Sequence, residues 1–333
     1  MERGAMYLGV DGGGTKTAFA LVGGDGTLAA SHVDASIDYL AEGIAAARAR
    51  LVEGIRATLA QPALAPAGIA FAFFGLPSYG EDGETIAELD AMPLELLDAS
   101  RYRCGNDMIC SWAGSLACVD GISVIAGTGS MAYGEYAGRQ ARCGGWGELI
   151  GDEGSAYWIA REGMNLFSRM SDGRAARGPL HRLVRERFEL SNDLYLCSRI
   201  YGAGADRRDS FAQFARLVHE AAQAGDAAAA GIFTRGAMEL VDCVVTTRRA
   251  LDPPATAVLP VSHSGGVFNN VPAIVDAFRA GLTAAPYPFE YLKPLLPPAV
   301  GAALYAARIA GKPLPSTAVK RLQQQCESPD VFR

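Results

Sequence analysis

Three glycine-rich segments, each placed directly after an apolar run, carry residue types that could bind an anion. The first follows the run ending at Val10; it starts with Asp11 and continues as Gly12, Gly13, Gly14, Thr15, Lys16 and Thr17. Glycine lets the backbone approach a phosphate without a Cβ collision, and successive N–H groups in a turn can point at one anion. The two threonine hydroxyls and the charge of Lys16 suit the same ligand. We therefore predict a phosphate-binding hairpin here.

The second and third segments repeat this pattern further along the chain. Gly127, Thr128, Gly129 and Ser130 follow one apolar run, and Gly265 and Gly266 follow another. A helix is predicted after Gly266, so its free N–H groups and the positive end of its dipole suit a nucleotide phosphate. Three turns of this kind, each at the end of a predicted strand, indicate a nucleotide site.

Two common nucleotide fingerprints do not fit the first segment. A Walker loop requires G-x-x-x-x-G-K-[ST]; Gly9 and Gly14 fit it, but Thr15 stands before Lys16, and a strand rather than a helix is predicted to follow. The dinucleotide fingerprint G-x-G-x-x-G places its last glycine on Thr17. The pattern therefore excludes both of these nucleotide-binding loops.

Strand-like and helix-like patterns alternate along the chain. Residues 7–33 predict three antiparallel strands, and apolar residues at helical spacing predict a helix over about 39–60. Residues from 174 to about 250 lose the strand pattern and predict a helical insertion, after which strand patterns return. Two such alternations predict an α/β fold of two lobes with a ligand cleft at the carboxyl ends of the strands. We assign the lobes to residues 1–118 and 119–333.

Composition excludes several classes of function. The chain has 333 residues and a formal net charge of −6, without a basic run, so we expect neither nucleic acid nor membrane partners. No apolar stretch approaches the ~20 residues of a membrane span, and the start lacks a signal-peptide pattern, which predicts a cytoplasmic protein. Seven cysteines without C-x-x-C and four scattered histidines give no zinc pattern.

Five segments together resemble one known family, the BadF/BadG/BcrA/BcrD ATPases. Within it, the sequence most resembles the eukaryotic-type N-acetylglucosamine kinases and related hexosamine kinases. The resemblance covers nearly the whole chain in the same order, and Gly144 to Trp158 is its most specific part. The segments are Asp11–Thr17, Gly105–Asp107, Gly127–Ser130, Cys143–Trp158 and Ser264–Phe268.

The resemblance implies the actin/hexokinase-like ATPase fold, with two ribonuclease H-like lobes, and ATP with Mg²⁺ as cofactors. It implies that Gly12 to Thr17 and Gly127 to Ser130 hold the ATP phosphates, and that Gly265-Gly266 borders the adenosine. Asp11 is then expected to help place Mg²⁺ through water. A sugar and ATP are the expected ligands, and we expect a homodimer.

The resemblance also implies the sugar site. Asp107 corresponds to the catalytic base, and a carboxylate within ~3 Å of the attacking hydroxyl is what phosphoryl transfer to a sugar requires. Gly145, Trp146 and Asp152 correspond to sugar contacts, and Asp152 with Glu153 could accept hydrogen bonds from vicinal hydroxyls. The expected sugar-binding set is Asp38, Asn106, Asp107, Ser130, Gly145, Trp146, Asp152 and Glu153.

Plain structural roles compete with these assignments. Asp107 stands where a helix should begin and could serve as its N-cap. Asp152 and Glu153 could complement a helix dipole, and Trp146 could belong to the core.

Two residues bear on the identity of the acceptor sugar. Asp38 lies near a position where N-acetylglucosamine kinases carry asparagine, and Met131 stands where a second asparagine is common. Asp in place of Asn removes a donor and adds charge, and Met removes hydrogen bonding. N-acetylglucosamine, phosphorylated at its 6-hydroxyl, is the expected acceptor, with the cationic glucosamine or another hexose or hexosamine as the alternative.

Two other functions compete with a sugar kinase. An ATP-dependent activator of a radical acyl-CoA enzyme would need cysteines placed to hold an iron–sulfur cluster, and those here are irregularly spaced. A sugar-sensing repressor would need a helix-turn-helix, for which no room remains before the strand beginning at Tyr7. A sugar-binding protein without catalysis is disfavoured because both Asp11 and Asp107 are present.

Overall fold

The chain forms two compact units. The computed structural model describes residues 4–202, 207–328 and 332. One unit comprises Met1–Ser123 together with Lys293–Arg333, and the other comprises Val124–Leu292. The fold is therefore an α/β fold in which the first unit is completed by the C-terminal end of the chain.

A five-stranded mixed sheet forms the centre of the first unit. The strand order is β3-β2-β1-β4-β5, with β1, β2 and β3 antiparallel and β4 and β5 parallel to β1. The three predicted antiparallel strands are thus present. The strands are β1 (Met6–Gly12), β2 (Lys16–Gly23), β3 (Leu28–Ala35), β4 (Ile69–Leu76) and β5 (Tyr102–Asn106).

Helices flank this sheet. The helix predicted over about 39–60 is interrupted at Gly43, whose φ of 83° is open to glycine but strained for other residues, so two helices replace one. The helices are α1 (Tyr39–Glu42), α2 (Ile44–Ala60), α3 (Ile86–Asp90), α4 (Met108–Leu116), α12 (Pro298–Ile309) and α13 (Ser316–Cys326).

The second unit repeats the strand order of the first. Its sheet has the order β10-β9-β6-β7-β8. When this sheet is read from β8 to β10 and the strands of each unit are numbered along the chain, both sheets have the order third, second, first, fourth, fifth. β7 is antiparallel to β8, and β10 is parallel to β9. The strands are β6 (Gly121–Ala126), β7 (Ser130–Tyr136), β8 (Arg139–Gly144), β9 (Leu259–Ser264) and β10 (Phe289–Tyr291).

Most helices of the second unit lie between β8 and β9. The predicted helical segment 174–250 contains the helices Pro179–Arg187, Leu196–Tyr201 and Arg207–Gln223 and nearly all of Ala227–Leu251. The helices are α5 (Ala156–Ser171), α6 (Pro179–Arg187), α7 (Leu196–Tyr201), α8 (Arg207–Gln223), α9 (Ala227–Leu251), α10 (Gly266–Asn270) and α11 (Pro272–Ala284). Over the described residues, no helix combines the length and apolar character that crossing a membrane requires.

Close packing of α12 explains why the C-terminal segment belongs to the first unit. A Cβ added to Gly9 of β1 would lie 2.2 Å from the carbonyl oxygen of Ala299 in α12. One added to Gly301 of α12 would lie 2.1 Å from the backbone nitrogen of Gly114 in α4. Glycines thus let α12 lie directly against the two elements. The structure therefore differs from the division into 1–118 and 119–333, because Lys293–Arg333 is grouped with the N-terminal unit, on whose sheet α12 packs.

Candidate active site

Three parallel strands of the first sheet end side by side and bring two carboxylates to one edge. Asp11 in β1 pairs with Gly75 in β4, and Gly75 pairs with Gly105 in β5. Asp107 follows at the start of α4. A Cβ on Gly75 would lie 3.0 Å from the Cα of Asp107 and 2.2 Å from the Sγ of Cys110, so only glycine admits this backbone approach. We call Asp11 and Asp107 the strand-end carboxylates.

Asp107 holds the N-cap position of α4, but its side chain makes no capping hydrogen bond. Asn106 takes over that task, since its Oδ1 accepts a hydrogen bond from the Met108 N–H at 3.1 Å. The Asn106 amide also donates to the Tyr79 carbonyl at 3.2 Å. The buried Asn106 therefore joins α4 to the loop after β4, and its predicted contact with sugar stays a prediction.

Burial raises the pKa of both strand-end carboxylates, and the charge of Asp11 raises that of Asp107 further. Burial raises the pKa of Asp107 to about 8, and the charges of Asp11 and Glu81 act in the same direction. Burial raises the pKa of Asp11 to about 7, partly opposed by Lys16. Two interacting acids titrate as a pair. The raised pKa of Asp107 lies in the range that suits a general base.

Asp11 suits a hard cation such as Mg²⁺ that takes most of its ligands from water and substrate. In the part of the chain that the structure describes, no group of three or more His, Cys, Asp or Glu side chains could hold a metal by itself. Mg²⁺ commonly binds one or two carboxylates and takes its remaining ligands from water and substrate phosphates. A single carboxylate at a strand end, such as Asp11, suits that mode of binding.

The first glycine segment forms a tight turn between β1 and β2. The Gly13 N–H donates to the Lys16 carbonyl at 2.9 Å, and the Ser36 hydroxyl fixes the turn by donating to the Gly13 carbonyl at 2.7 Å. No atom lies within 4 Å of a Cβ added to Gly14. Gly14, Thr15 and Lys16 are exposed, so this face of the turn is open to an anion.

Thr17 differs from the expectation of a phosphate contact. Its side chain is 1% exposed, and its hydroxyl donates to the carbonyl of Ala35 in β3 at 2.9 Å. The alternation of side chains along β2 turns residue 17 toward the interior. Thr17 therefore ties β2 to β3. Gly12 is buried, and a Cβ at this position would collide with the Ile37 side chain and the Gly75 carbonyl oxygen.

The second glycine segment lies on the N-terminus of α5. The N–H groups of Ala156 and Tyr157 donate to the carbonyls of Gly127 and Thr128 at 2.9 and 3.4 Å. Ser155 caps the helix by accepting from the Trp158 N–H at 3.1 Å. The turn of residues 127–129 is thereby held rigidly at the positive end of a 16-residue helix.

The third glycine segment lies against the second. Gly265 has a φ of 101°, and a Cβ there would lie 2.4 Å from the Ala126 carbonyl oxygen and 3.0 Å from the Gly127 nitrogen. β9 is the sheet neighbour of β6, so these two strand ends meet. Gly266 opens α10 immediately afterwards. The second unit thus places Gly127 to Gly129 and Gly265-Gly266 together, as a nucleotide site would require.

Most of the expected sugar-binding residues of the second unit surround the same turn. Asp152 is 8% exposed, and its Oδ2 lies 2.7 Å from the place of a Cβ on Gly129. The Ser130 hydroxyl donates to the Glu153 carbonyl at 2.7 Å, and the Gly145 N–H donates to the Ser130 carbonyl at 3.0 Å. Asp152 also has a φ of 59°, the left-handed conformation that strained functional positions often adopt.

Trp146 stands apart from any core. Its side chain is 67% exposed, at the end of a turn in which Gly144 and Gly145 have φ values of 79° and 70°. Leu149 and Ile150 in the following turn are also exposed. The structure therefore does not support a core role for this tryptophan.

The two residues that bear on acceptor identity have local partners. Asp38 lies in the first unit as the N-cap of α1, where its Oδ1 accepts from the Leu40 N–H at 3.1 Å. Met131 lies in the second unit, and its Cε would be 2.3 Å from a Cβ on Gly145. Met131 therefore fills apolar space beside the Gly145 turn.

Three further residues shape the carboxylate site and were missed in the sequence. They are Gly75 and Cys110, which meet where the backbone approaches Asp107, and Glu81, whose charge raises the pKa of Asp107. The available signal was the spacing of Gly75 and Gly105 at the ends of consecutive buried strands. Such glycines indicate close backbone approach, but they do not show which backbone approaches.

A family comparison decides the relationship of this chain. Residues 8–306 match the model of the BadF/BadG/BcrA/BcrD ATPase family. The chain belongs to that family. Its matched region includes all three glycine segments and both strand-end carboxylates.

Relatives of this family member include named sugar kinases. An N-acetyl-D-glucosamine kinase of Dictyostelium discoideum is 26% identical over 311 residues, covering 90% of this chain and 97% of that protein. An N-acetylmuramic acid/N-acetylglucosamine kinase of Clostridium acetobutylicum is 34% identical over 175 residues, covering 52% of this chain and 56% of that protein.

Solved structures agree on the fold. A protein of Chromobacterium violaceum, named as a candidate N-acetylglucosamine kinase, has a TM-score of 0.71 at 26% identity and covers 91% of this chain and 99% of its own. The ROK hexokinase of Thermus thermophilus has a TM-score of 0.56 at 16% identity and covers 92% and 99%. The predicted two-lobed α/β fold of the hexokinase-like ATPases is confirmed.

Proposed function

We propose that this protein is an ATP-dependent kinase of an amino sugar and that it makes N-acetylglucosamine 6-phosphate. The observation that carries the proposal is the Asp107 carboxylate, which makes no capping bond and whose pKa is raised toward neutrality beside Asp11. Family membership and named kinase relatives support the same activity. The described glycine turns supply chemistry suited to ATP.

Proton transfer is the step assigned to Asp107. The carboxylate accepts the proton of the sugar hydroxyl as that oxygen bonds to the γ-phosphorus of ATP and the bond from γ-phosphorus to its bridging oxygen breaks, releasing ADP. A base whose pKa lies near the working pH combines a useful ionised fraction with adequate basicity. The pKa of about 8 suits this role.

The other groups orient the substrates and balance their charge. We assign the ATP phosphates to the exposed face of Gly14 to Lys16 and to the turn of residues 127–129. Mg²⁺, when bound, would neutralise part of the phosphate charge, and Asp11 would help to hold it. Asp152, Gly145 and Trp146 are assigned to the sugar, the carboxylate by accepting hydroxyl hydrogen bonds and the indole by covering a ring face.

Glucosamine is the second candidate acceptor, because Asp38 and Met131 replace two amide side chains expected for an acetamido group. Asp38 adds a negative charge to the unit that also carries the strand-end carboxylates, and negative charge favours a cationic amine. Hydrogen-bond matching decides between such sugars by large factors when an analogue leaves a buried polar group unpaired.

A coupled assay of ADP release across N-acetylglucosamine, glucosamine, N-acetylmannosamine and glucose tests the proposal. We expect the largest kcat/KM for N-acetylglucosamine, and phosphorus NMR of the product should show a 6-phosphate. A strong preference for glucosamine would move the assignment to the second candidate. ADP release that no sugar accelerates would reject both.

We further propose that the protein is a cytoplasmic homodimer. Light scattering on the purified protein checks the dimeric state.

A further inference from the structure

Two cysteines that the proposed mechanism does not use meet in the second unit. Cys143 is the next-to-last residue of β8, and Cys243 lies in α9, which packs against β7 and β8. The thiols of the two residues are in hydrogen-bonding contact. The Sγ of Cys243 also lies 3.7 Å from the place of a Cβ on Gly144. The pair thus joins a helix to the strand directly before the Trp146 turn.

Both thiols are within reach of small molecules. Each cysteine is only partly buried, and both are free thiols in this structure. Disulfide formation requires two sulfur atoms that can approach to bonding distance without backbone rearrangement. Thiols already in contact meet that requirement through side-chain rotation.

We propose that Cys143 and Cys243 form a peroxide-sensitive dithiol site whose disulfide restrains the turn that carries Trp146. Peroxide is the oxidant: the Cys143 sulfur attacks one peroxide oxygen, the O–O bond breaks, and the departing hydroxide takes up the Cys143 thiol proton and leaves as water, so that Cys143 becomes a sulfenic acid. The Cys243 sulfur then attacks the Cys143 sulfur and expels hydroxide, which takes up the thiol proton to form water. One peroxide is reduced to two waters while two thiols become one disulfide.

The surroundings favour this order of events and this oxidant. Burial, followed by contact with Cys143, raises the pKa of Cys243, so the first attack on peroxide is assigned to Cys143 and the second attack, on the Cys143 sulfur, to Cys243. The charges of Asp242 and Glu153 act on Cys243 in the same direction. These carboxylates repel an anionic oxidant such as glutathione disulfide, whereas neutral hydrogen peroxide is not repelled.

A disulfide here would act on the turn through the backbone. Cys143 pairs with Ala132 across β7 and β8, and Gly144 pairs with Met131. The left-handed Gly144 and Gly145 follow at once and lead to Trp146. A disulfide from residue 143 to α9 would restrict the motion of the backbone directly before these glycines. A turn that cannot adjust places its tryptophan less well against a ligand.

The test oxidises the full-length protein with hydrogen peroxide, blocks remaining thiols and maps peptides by mass spectrometry. We expect a cross-linked pair of peptides containing Cys143 and Cys243, loss of two thiols of the seven, and reversal by dithiothreitol. Cys243→Ser should abolish the cross-link, and Cys197→Ser, which changes an exposed cysteine elsewhere, should keep it. Glutathione disulfide at equal concentration should react more slowly.

Two results would overturn the site. One is oxidation of Cys143 to a sulfinic acid in the wild type without any cross-link to Cys243. The other is equal thiol loss in the wild type and in Cys243→Ser. Hydrogen exchange of residues 144–147 should slow in the cross-linked protein, and unchanged exchange would reject the restraint on the turn.

The expected effect on catalysis rests on the proposed function and is measured in a separate turnover assay. Cross-linking should lower turnover with amino sugar by about ten-fold or more, since small misplacements of substrate-positioning groups cost that much. Cys243→Ser should keep its activity in peroxide. A protein without kinase activity would reject the proposed function, while peptide mapping and hydrogen exchange would still decide the dithiol site.

Discussion

Replacing Asp107 by asparagine should stabilise the protein, and increasingly so as the pH rises. The folded protein keeps the Asp107 carboxyl protonated up to a pKa of about 8, against 3.8 when unfolded. Across that window the folded state binds more protons than the unfolded state, so the free energy of unfolding falls as pH rises. An asparagine side chain does not titrate, so the variant escapes this loss.

The size of the effect follows from the pKa change. At ~1.4 kcal/mol per unit, a rise of about four units sets a ceiling near 6 kcal/mol. Asp107 keeps some contact with solvent and shares the penalty with Asp11, so we expect about 2 kcal/mol of relative stabilisation between about pH 5 and about pH 8.

Urea unfolding of the wild type and Asp107→Asn at both pH values measures this difference. The fully buried Trp112 of α4 contributes a fluorescence signal from the same unit. Glu88→Gln removes an exposed carboxylate of α3 and serves as the matched control, with a difference from the wild type that stays constant. An Asp107→Asn difference that is equally constant, or that reverses sign at high pH, would refute the electrostatic account of the site.

Two glycine pairs give further predictions. Gly301→Ala should lower the free energy of unfolding by about 2 kcal/mol or more through its clash with the backbone of α4. Gly231→Ala, in an uncrowded turn of α9, should instead raise it by about 0.5–1 kcal/mol through helix propensity, and chemical denaturation that ranks the pair the other way would contradict the packing. Gly265→Ala should weaken ATP binding about ten-fold or more, because its Cβ would collide with β6 at a φ of 101°. Gly266→Ala should change ATP binding little, and calorimetry showing equal losses would remove the special role of residue 265.

The sequence predicted those parts of the fold that depend on local pattern. Asp25-Gly26 between apolar runs predicted the antiparallel strands, and the spacing of Gly127 to Ser130 after a buried run predicted its turn. The helix over about 39–60 was predicted as one because the apolar spacing continues across Gly43. Only the left-handed conformation of that glycine separates α1 from α2.

Long-range packing explains what the sequence could not provide. The sequence of Pro298–Ile309 does not show that this helix packs on β1 and α4. Glycines such as Gly9 and Gly301 allow a close approach, but the sequence does not identify the element that approaches them. The sequence offered Asp107 as the cap of α4, whereas Asn106, which also contacts the Tyr79 carbonyl, accepts the hydrogen bond from the Met108 N–H. Thr17 was expected at the phosphates because the sequence does not show the register of β2, and this register turns the Thr17 side chain inward.

The kinetics of Asp107→Asn test the central claim most directly. We predict that kcat for amino sugar phosphorylation falls by about 10²–10⁴-fold, since the variant lacks a proton acceptor, while ATP affinity measured by calorimetry stays near that of the wild type. An undiminished kcat would show that another group deprotonates the sugar hydroxyl and would contradict the mechanism proposed for the strand-end carboxylates.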